Sequence, residues 1–143
     1  MAGNARIVVG FDGSEPSERA LAWATEEAKL RGAVLEIVMA WEVAGVVYAY
    51  GYVPSLLPSL EEEARDAAEK ILAETAEKAR AAGVEVETEA RRGQAADELV
   101  EAAEGADLLV IGSRGHGGFT GLLLGSVSAQ CAHHARCPLV IVR

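Results

Sequence analysis

Five short apolar runs alternate with longer stretches of helical periodicity, and this alternation constrains the fold more than any other feature of the 143 residues. Arg6–Phe11 (RIVVGF) is nearly continuously apolar and is broken sharply by Asp12-Gly13-Ser14, the pattern of a central parallel strand buried on both faces. Val34–Trp41 (VLEIVMAW), Asp107–Ile111 (DLLVI) and Pro138–Val142 (PLVIV) supply three further strands. Val84–Arg91 (VEVETEAR) differs. It alternates apolar or small residues with charged ones, so it has one wet face and belongs near an edge of the sheet.

The segments between these runs read as helices with recognisable ends. Ser14 is placed to cap the first, Glu15 and Pro16 suit its opening turn, Ala20, Leu21, Ala24 and Ala28 recur at helical spacing, and Gly32 offers a left-handed stop. Glu42–Leu60 is a long connection rich in Gly, Pro and Tyr; Tyr48, Tyr50 and Tyr52 serve either to stack on a base or to pack the connection on its own domain or on a partner subunit. Glu61–Ala82 is the clearest helix, with an apolar stripe from Ala64 to Ala79 and acid-before-base pairs Glu61/Arg65, Asp66/Lys70 and Glu74/Lys78. Such pairs contribute only about 0.2–0.5 kcal/mol each, which marks a solvated outer face. Short helices over Ala95–Glu104 and Val127–Arg136 complete the set. The order of elements predicts an α/β fold: one doubly wound parallel sheet, with no linker or repeat dividing it. In such sheets ligands bind at the carboxyl ends of the strands where the winding reverses, which brings Asp12 and Gly112 together across 100 positions of sequence.

The segment from Gly112 to Ser126 (GSRGHGGFTGLLLGS) sits between a buried strand and a helix. A glycine-rich loop in that place is a phosphate-binding geometry, because its backbone approaches an anion closely and its N–H groups point at it. It is not a Walker A loop, since Leu124 precedes Gly125-Ser126 and the loop has no lysine. Nor is it the dinucleotide fingerprint, which requires glycine where Thr120 stands. The spacing Gly112, two residues, Gly115, nine residues, Gly125-Ser126, together with Asp12 closing the first strand, resembles the ATP-binding branch of the universal stress protein family.

That resemblance covers the whole chain, from the VGFDGS opening to the CPLVIV ending. It implies one domain over residues 1–143, a flavodoxin-like five-stranded sheet in the order 3-2-1-4-5, and a homodimer formed by antiparallel pairing of the last strands, here Pro138–Arg143. It further implies that Asp12, with Gly10 just before it, lies by the ribose or adenine, and that the backbone at Ala40 reads the adenine edge. Gly112, Arg114, Gly115, Gly125, Ser126 and Val127 map onto the phosphate cradle, with Ser126 capping the last helix and Arg114 and His116 flanking the phosphate chain.

Composition limits the partners. Thirteen basic and 22 acidic residues leave a formal charge of −9, which argues against a nucleic-acid groove or an anionic membrane surface. A polyphosphate must then be held locally, by backbone donors, Arg114 and a divalent cation, Mg2+ with ATP. Screening over roughly 8 Å limits the opposing long-range field. Cys131 and Cys137 lack metal or redox spacing and read as reduced thiols of a cytoplasmic protein. The start of the sequence has no apolar signal region, and no run approaches the roughly 18 apolar residues of a membrane span. His116 has no evident carboxylate partner for general-base work, and His133 and His134, adjacent on a helix, cannot share a face as a metal pair. The expectation is an ATP-binding, dimeric stress-response regulator with an unidentified protein partner, and no catalytic residue. The alternatives are a structural dimerisation protein and a slow ATPase on the same fold.

Overall fold

The computed structural model describes residues 5–43, 54–114 and 124–143. In chain order these form β1 (Arg6–Gly10), α1 (Glu15–Arg31), β2 (Val34–Trp41), a 3-10 turn (Pro54–Leu56), α2 (Leu57–Ala81), β3 (Val86–Arg92), α3 (Ala95–Ala102), β4 (Leu108–Gly112), α4 (Ser126–His134) and β5 (Leu139–Val142). All strand pairings are parallel, in the order β3-β2-β1-β4-β5. This is the doubly wound arrangement that the alternation of runs predicts, with the winding reversed between β1 and β4.

Because successive strand residues point to opposite faces, each central strand feeds two cores. Ile7, Val9, Leu35, Ile37, Leu108 and Val110 face α1 and α2, where Ala20, Ala24, Ala28, Leu72, Ala76 and Ala79 meet them. Val8, Val38, Leu109 and Ile111 face the other way, onto Ala96, Leu99 and Ala102 of α3 and Cys131 of α4. Each fully buried Ile, Leu or Val contributes about 1.5–3 kcal/mol. The two edges differ: β3 turns Glu87 and Thr88 to solvent, whereas Leu139–Val142 of β5 are all half-buried apolar residues.

Three local expectations are corrected. Helix α2 begins at Leu57 and not at Glu61, because Pro58, which reads as a loop residue, sits in its first turn, where a missing N–H costs nothing. Glu61 pairs with Arg92 of β3 at 2.6 Å and not with Arg65, so this charge ties α2 to the sheet. Finally, β2 contains a buried charge that its apolar run conceals: Glu36 is only 8% exposed and accepts from Arg6 Nη1 at 2.7 Å. Helix α1 behaves as expected, capped by Ser14 and stopped by Gly32 in the left-handed conformation. No helix among the described residues is long and apolar enough to cross a membrane.

Candidate nucleotide site

The site is built where β1 and β4 end side by side. Their register pairs Ile7 with Leu108 and Val9 with Val110, so the chains leave the sheet together at Asp12 and Ser113. Asp12 is half-buried and folded into the turn it opens. Its Oδ1 accepts the Ser14 backbone N–H at 2.9 Å and also the Ser14 hydroxyl. Ser14 Oγ in turn accepts the Ser17 N–H at 3.3 Å, which caps α1. The Ser17 hydroxyl closes the knot, donating to the Ser14 carbonyl at 2.9 Å and accepting the Asp12 N–H at 3.3 Å. The carboxylate that a sequence reading offers to a ligand is therefore also part of an Asx turn, which fixes the position of its Oδ1.

Two glycines here have packing reasons. A Cβ on Gly10 would stand 2.8 Å from Leu99 Cδ1 and 3.3 Å from Ile111 Cγ2, so the bare backbone makes room for α3. A Cβ on Gly112 would lie 2.9 Å from the backbone C and O of Pro16, so the end of β4 touches the first turn of α1. Asp12, Gly112 and the start of α1 are thus one packed unit.

The start of α4 is finished differently. Its N-cap is Gly125, with an ordinary extended backbone (φ −74°, ψ 171°) and no side-chain cap. Ser126, expected to cap the helix, is instead its first residue and is exposed. The reason lies in how the loop closes: the Gly125 N–H donates to the Ser113 carbonyl at 2.7 Å, and the Ser128 hydroxyl donates to the carbonyls of Ser113 (2.9 Å) and Gly125 (3.0 Å). Ser113 and Ser128 are the residues that sequence reasoning missed. Their only signal is that both are serines flanking a loop that must shut against itself. The first N–H groups of α4 have no intrahelical acceptor, and no acidic side chain stands in its first turn.

Among the other expected site residues, Arg114 is half-buried and its Cα lies 3.3 Å from the place a Gly125 Cβ would take. Val127 is half-buried against the core of the α3–α4 face. Ala40 is half-buried near the end of β2, opposite Arg91 of β3. Next to it, Arg92 lies over the Trp41 ring at 6.0 Å. Gly115 and His116, like Tyr48, Tyr50 and Tyr52, fall outside the described residues. No cluster of three or more His, Cys, Asp or Glu among the described residues is arranged to hold a metal ion. Both cysteines are free; burial pushes the Cys131 thiol up to about 11 and raises that of Cys137, so neither is poised as a nucleophile at neutral pH.

The model of the universal stress protein family matches residues 3–143. The chain belongs to the universal stress protein family. A universal stress protein of Mycobacterium tuberculosis is 40% identical over 143 residues, covering 98% of this chain and 46% of the relative. One from Mycolicibacterium smegmatis is 38% identical over 139 residues, covering 96% and 45%. The chain thus spans about half the length of the curated relatives it matches. Among solved structures, a universal stress protein in complex with cAMP is 33% identical, with a TM-score of 0.70 and 99% and 98% of the two chains covered. UspA from Lactobacillus plantarum, 24% identical with a TM-score of 0.75 and 100% of both chains covered, shares the fold.

Proposed function

We propose that this universal stress protein binds an adenine nucleotide, ATP with Mg2+, across the carboxyl ends of β1 and β4, and that it acts as a cytoplasmic, dimeric, nucleotide-responsive regulator. The observation that carries the proposal is the start of α4, a helix N-terminus that among the described residues has no side-chain cap and no acid in its first turn, beside the Asp12 turn. Orphan N–H groups and the helix dipole favour an anion there. The Asp12 carboxylate suits the hydroxyls of a ribose, which can donate to it. The backbone at Ala40 offers donor and acceptor to a base edge, and Gly112, Arg114, Gly115, His116, Gly125, Ser126 and Val127 surround the phosphates. The solved relative in complex with cAMP supports an adenine nucleotide as the ligand class. Since no cluster among the described residues is arranged to hold a metal by itself, Mg2+ would arrive on the phosphates, which with water supply the oxygens it prefers.

The half-buried apolar edge at β5 is where a second copy would pair, since an open edge of that composition invites a strand. One experiment tests the ligand. Protein freed of nucleotide by unfolding and refolding is titrated with ATP, ADP, AMP and cyclic AMP, with and without magnesium. Tightest binding of ATP with magnesium is the expected result. Tighter binding of cyclic AMP or AMP would overturn the triphosphate assignment, and no binding by any of them would overturn the site.

A further inference from the structure

Among the described residues, one buried side-chain polar atom has no hydrogen-bond partner: the indole nitrogen of Trp41. An indole N–H can only donate, and a buried one normally finds an acceptor, because an unmatched donor forfeits the hydrogen bond it makes to water in the unfolded chain. The residue is otherwise engaged. Its carbonyl accepts the Gly93 N–H at 3.0 Å, and the Arg92 guanidinium lies over its ring at 6.0 Å. That guanidinium is held in turn by Glu61 of α2 at 2.6 Å. Only the indole N–H is left over.

Trp41 stands where β2 outlasts its neighbour. The β1–β2 pairing ends at Gly10 and Val38, whereas β2 and β3 stay paired as far as Trp41 and Arg92. Met39, Ala40 and Trp41 therefore run on past the last β1 pair, at the level where β1 gives way to the Asp12 turn. Val38 gives its carbonyl to the Phe11 N–H at 2.9 Å, and Trp41 gives its own to Gly93 at the end of β3. Backbone groups alternate sides along a strand, so Ala40, two residues past Val38, turns its N–H and C=O toward the β1 side. Across the sheet the order is β2, β1, β4, with neighbours about 4.8 Å apart. A nucleotide with its phosphates at the start of α4 and its ribose at Asp12 therefore brings its base, and not its phosphates, to the end of β2.

We propose that Trp41 is a base-reading residue: its indole N–H donates to a ring nitrogen of the adenine while the Ala40 backbone meets the base edge. This rests on the nucleotide reading given above and adds to it a side chain that selects the base. Adenine offers the ring nitrogens N1, N3 and N7 as acceptors, whereas its exocyclic amine donates. The indole nitrogen is shielded from solvent, so the ring turns on its side-chain bonds as the base seats, and an unmatched donor becomes a matched one. The Arg92 contact lies at the outer limit for a cation over an aromatic ring, which leaves room for that turn.

The test compares ATP with its 1-deaza, 3-deaza and 7-deaza analogues, each of which replaces one ring nitrogen by C–H. Wild type and Trp41→Phe are titrated calorimetrically with all four in the presence of magnesium. Wild type is expected to lose on the order of tenfold in affinity for one analogue, and Trp41→Phe to bind that analogue and ATP equally well. If every penalty is the same in both proteins, the base reader is overturned, however much the substitution weakens binding through lost packing. A second measurement needs no substitution. With nitrogen-15 in the indoles, the Trp41 N–H signal is expected to move downfield as ATP saturates the protein, while that of Trp23, 37% exposed on α1, stays in place. A Trp41 signal that stays in place while calorimetry shows binding also overturns the proposal. If wild type binds no ATP at all, the proposed function falls and the base reader with it, whereas binding with equal penalties removes the base reader alone.

Discussion

Helices α1 and α4 both start at the carboxyl end of the sheet, but among the described residues one start has a side-chain cap and an acidic first turn and the other has neither. At α1, Ser14 caps the helix, Pro16 occupies the first turn without needing a donor, and Glu15 and Glu18 set negative charge against the dipole. At α4, the cap is a glycine, the first residue is an exposed serine, and the first turn carries no acid. A capping side chain and an acidic first turn each stabilise a helix start by about 0.3–2 kcal/mol. On the function proposed above, the start of α4 is the anion-binding side of the β1–β4 crevice. The other side contributes the Asp12 turn, which is rigid because the α1 cap makes it so.

The comparison breaks most visibly if α4 is made to resemble α1. Ser126→Glu places an acid at the exposed first position. The helix should gain about 0.3–1 kcal/mol in stability, while nucleotide affinity falls by on the order of 2–3 kcal/mol, since a phosphate now faces like charge. Paired thermal melts and calorimetric titrations read the two signs. If affinity were unchanged in the more stable protein, phosphate would not be held at α4. Gly112→Ala has the next effect in size. Its new Cβ meets the Pro16 backbone, which cannot swing aside, so β4 and the start of α1 are forced apart at a cost of about 1–3 kcal/mol. Because the same contact joins Asp12 to the crevice, chemical denaturation and nucleotide titration should deteriorate together; loss of stability with intact binding would separate the two sides.

These particulars also show what a sequence reveals. The strands and most helix bodies are legible because they are periodic, and the placement of β3 at an edge follows from its charged alternation. Asp12 and Gly112 are legible as residues at the ends of two adjacent strands, because the apolar runs before them stop sharply. The start of α4 is not, because it is set by Ser113 and Ser128, two residues 15 positions apart that meet only when the loop closes. Glu36 is hidden for the same reason. Inside VLEIVMAW it reads as a blemish in an apolar strand, and its partner Arg6 lies 30 positions away. Pro58 illustrates the opposite failure, a correct local signal for a break that a helix's first turn absorbs.

The smallest effect belongs to Ser14→Ala, and it separates a cap from a ligand contact. The loss of the Ser14 hydroxyl removes the acceptor for the Ser17 N–H and one of the donors to Asp12 Oδ1, but the Ser14 backbone N–H still reaches that oxygen at 2.9 Å. Stability should fall by about 0.5–2 kcal/mol, the ordinary value of an N-cap. Affinity should change less than stability does, because the turn that aims Asp12 keeps its backbone half and Ser14 itself is buried, at 7% exposure. Measured together, the two numbers state how far the finished helix start and the carboxylate beside it act as one device: equal losses would mean that the cap, and not the Asx turn alone, holds Asp12 in position.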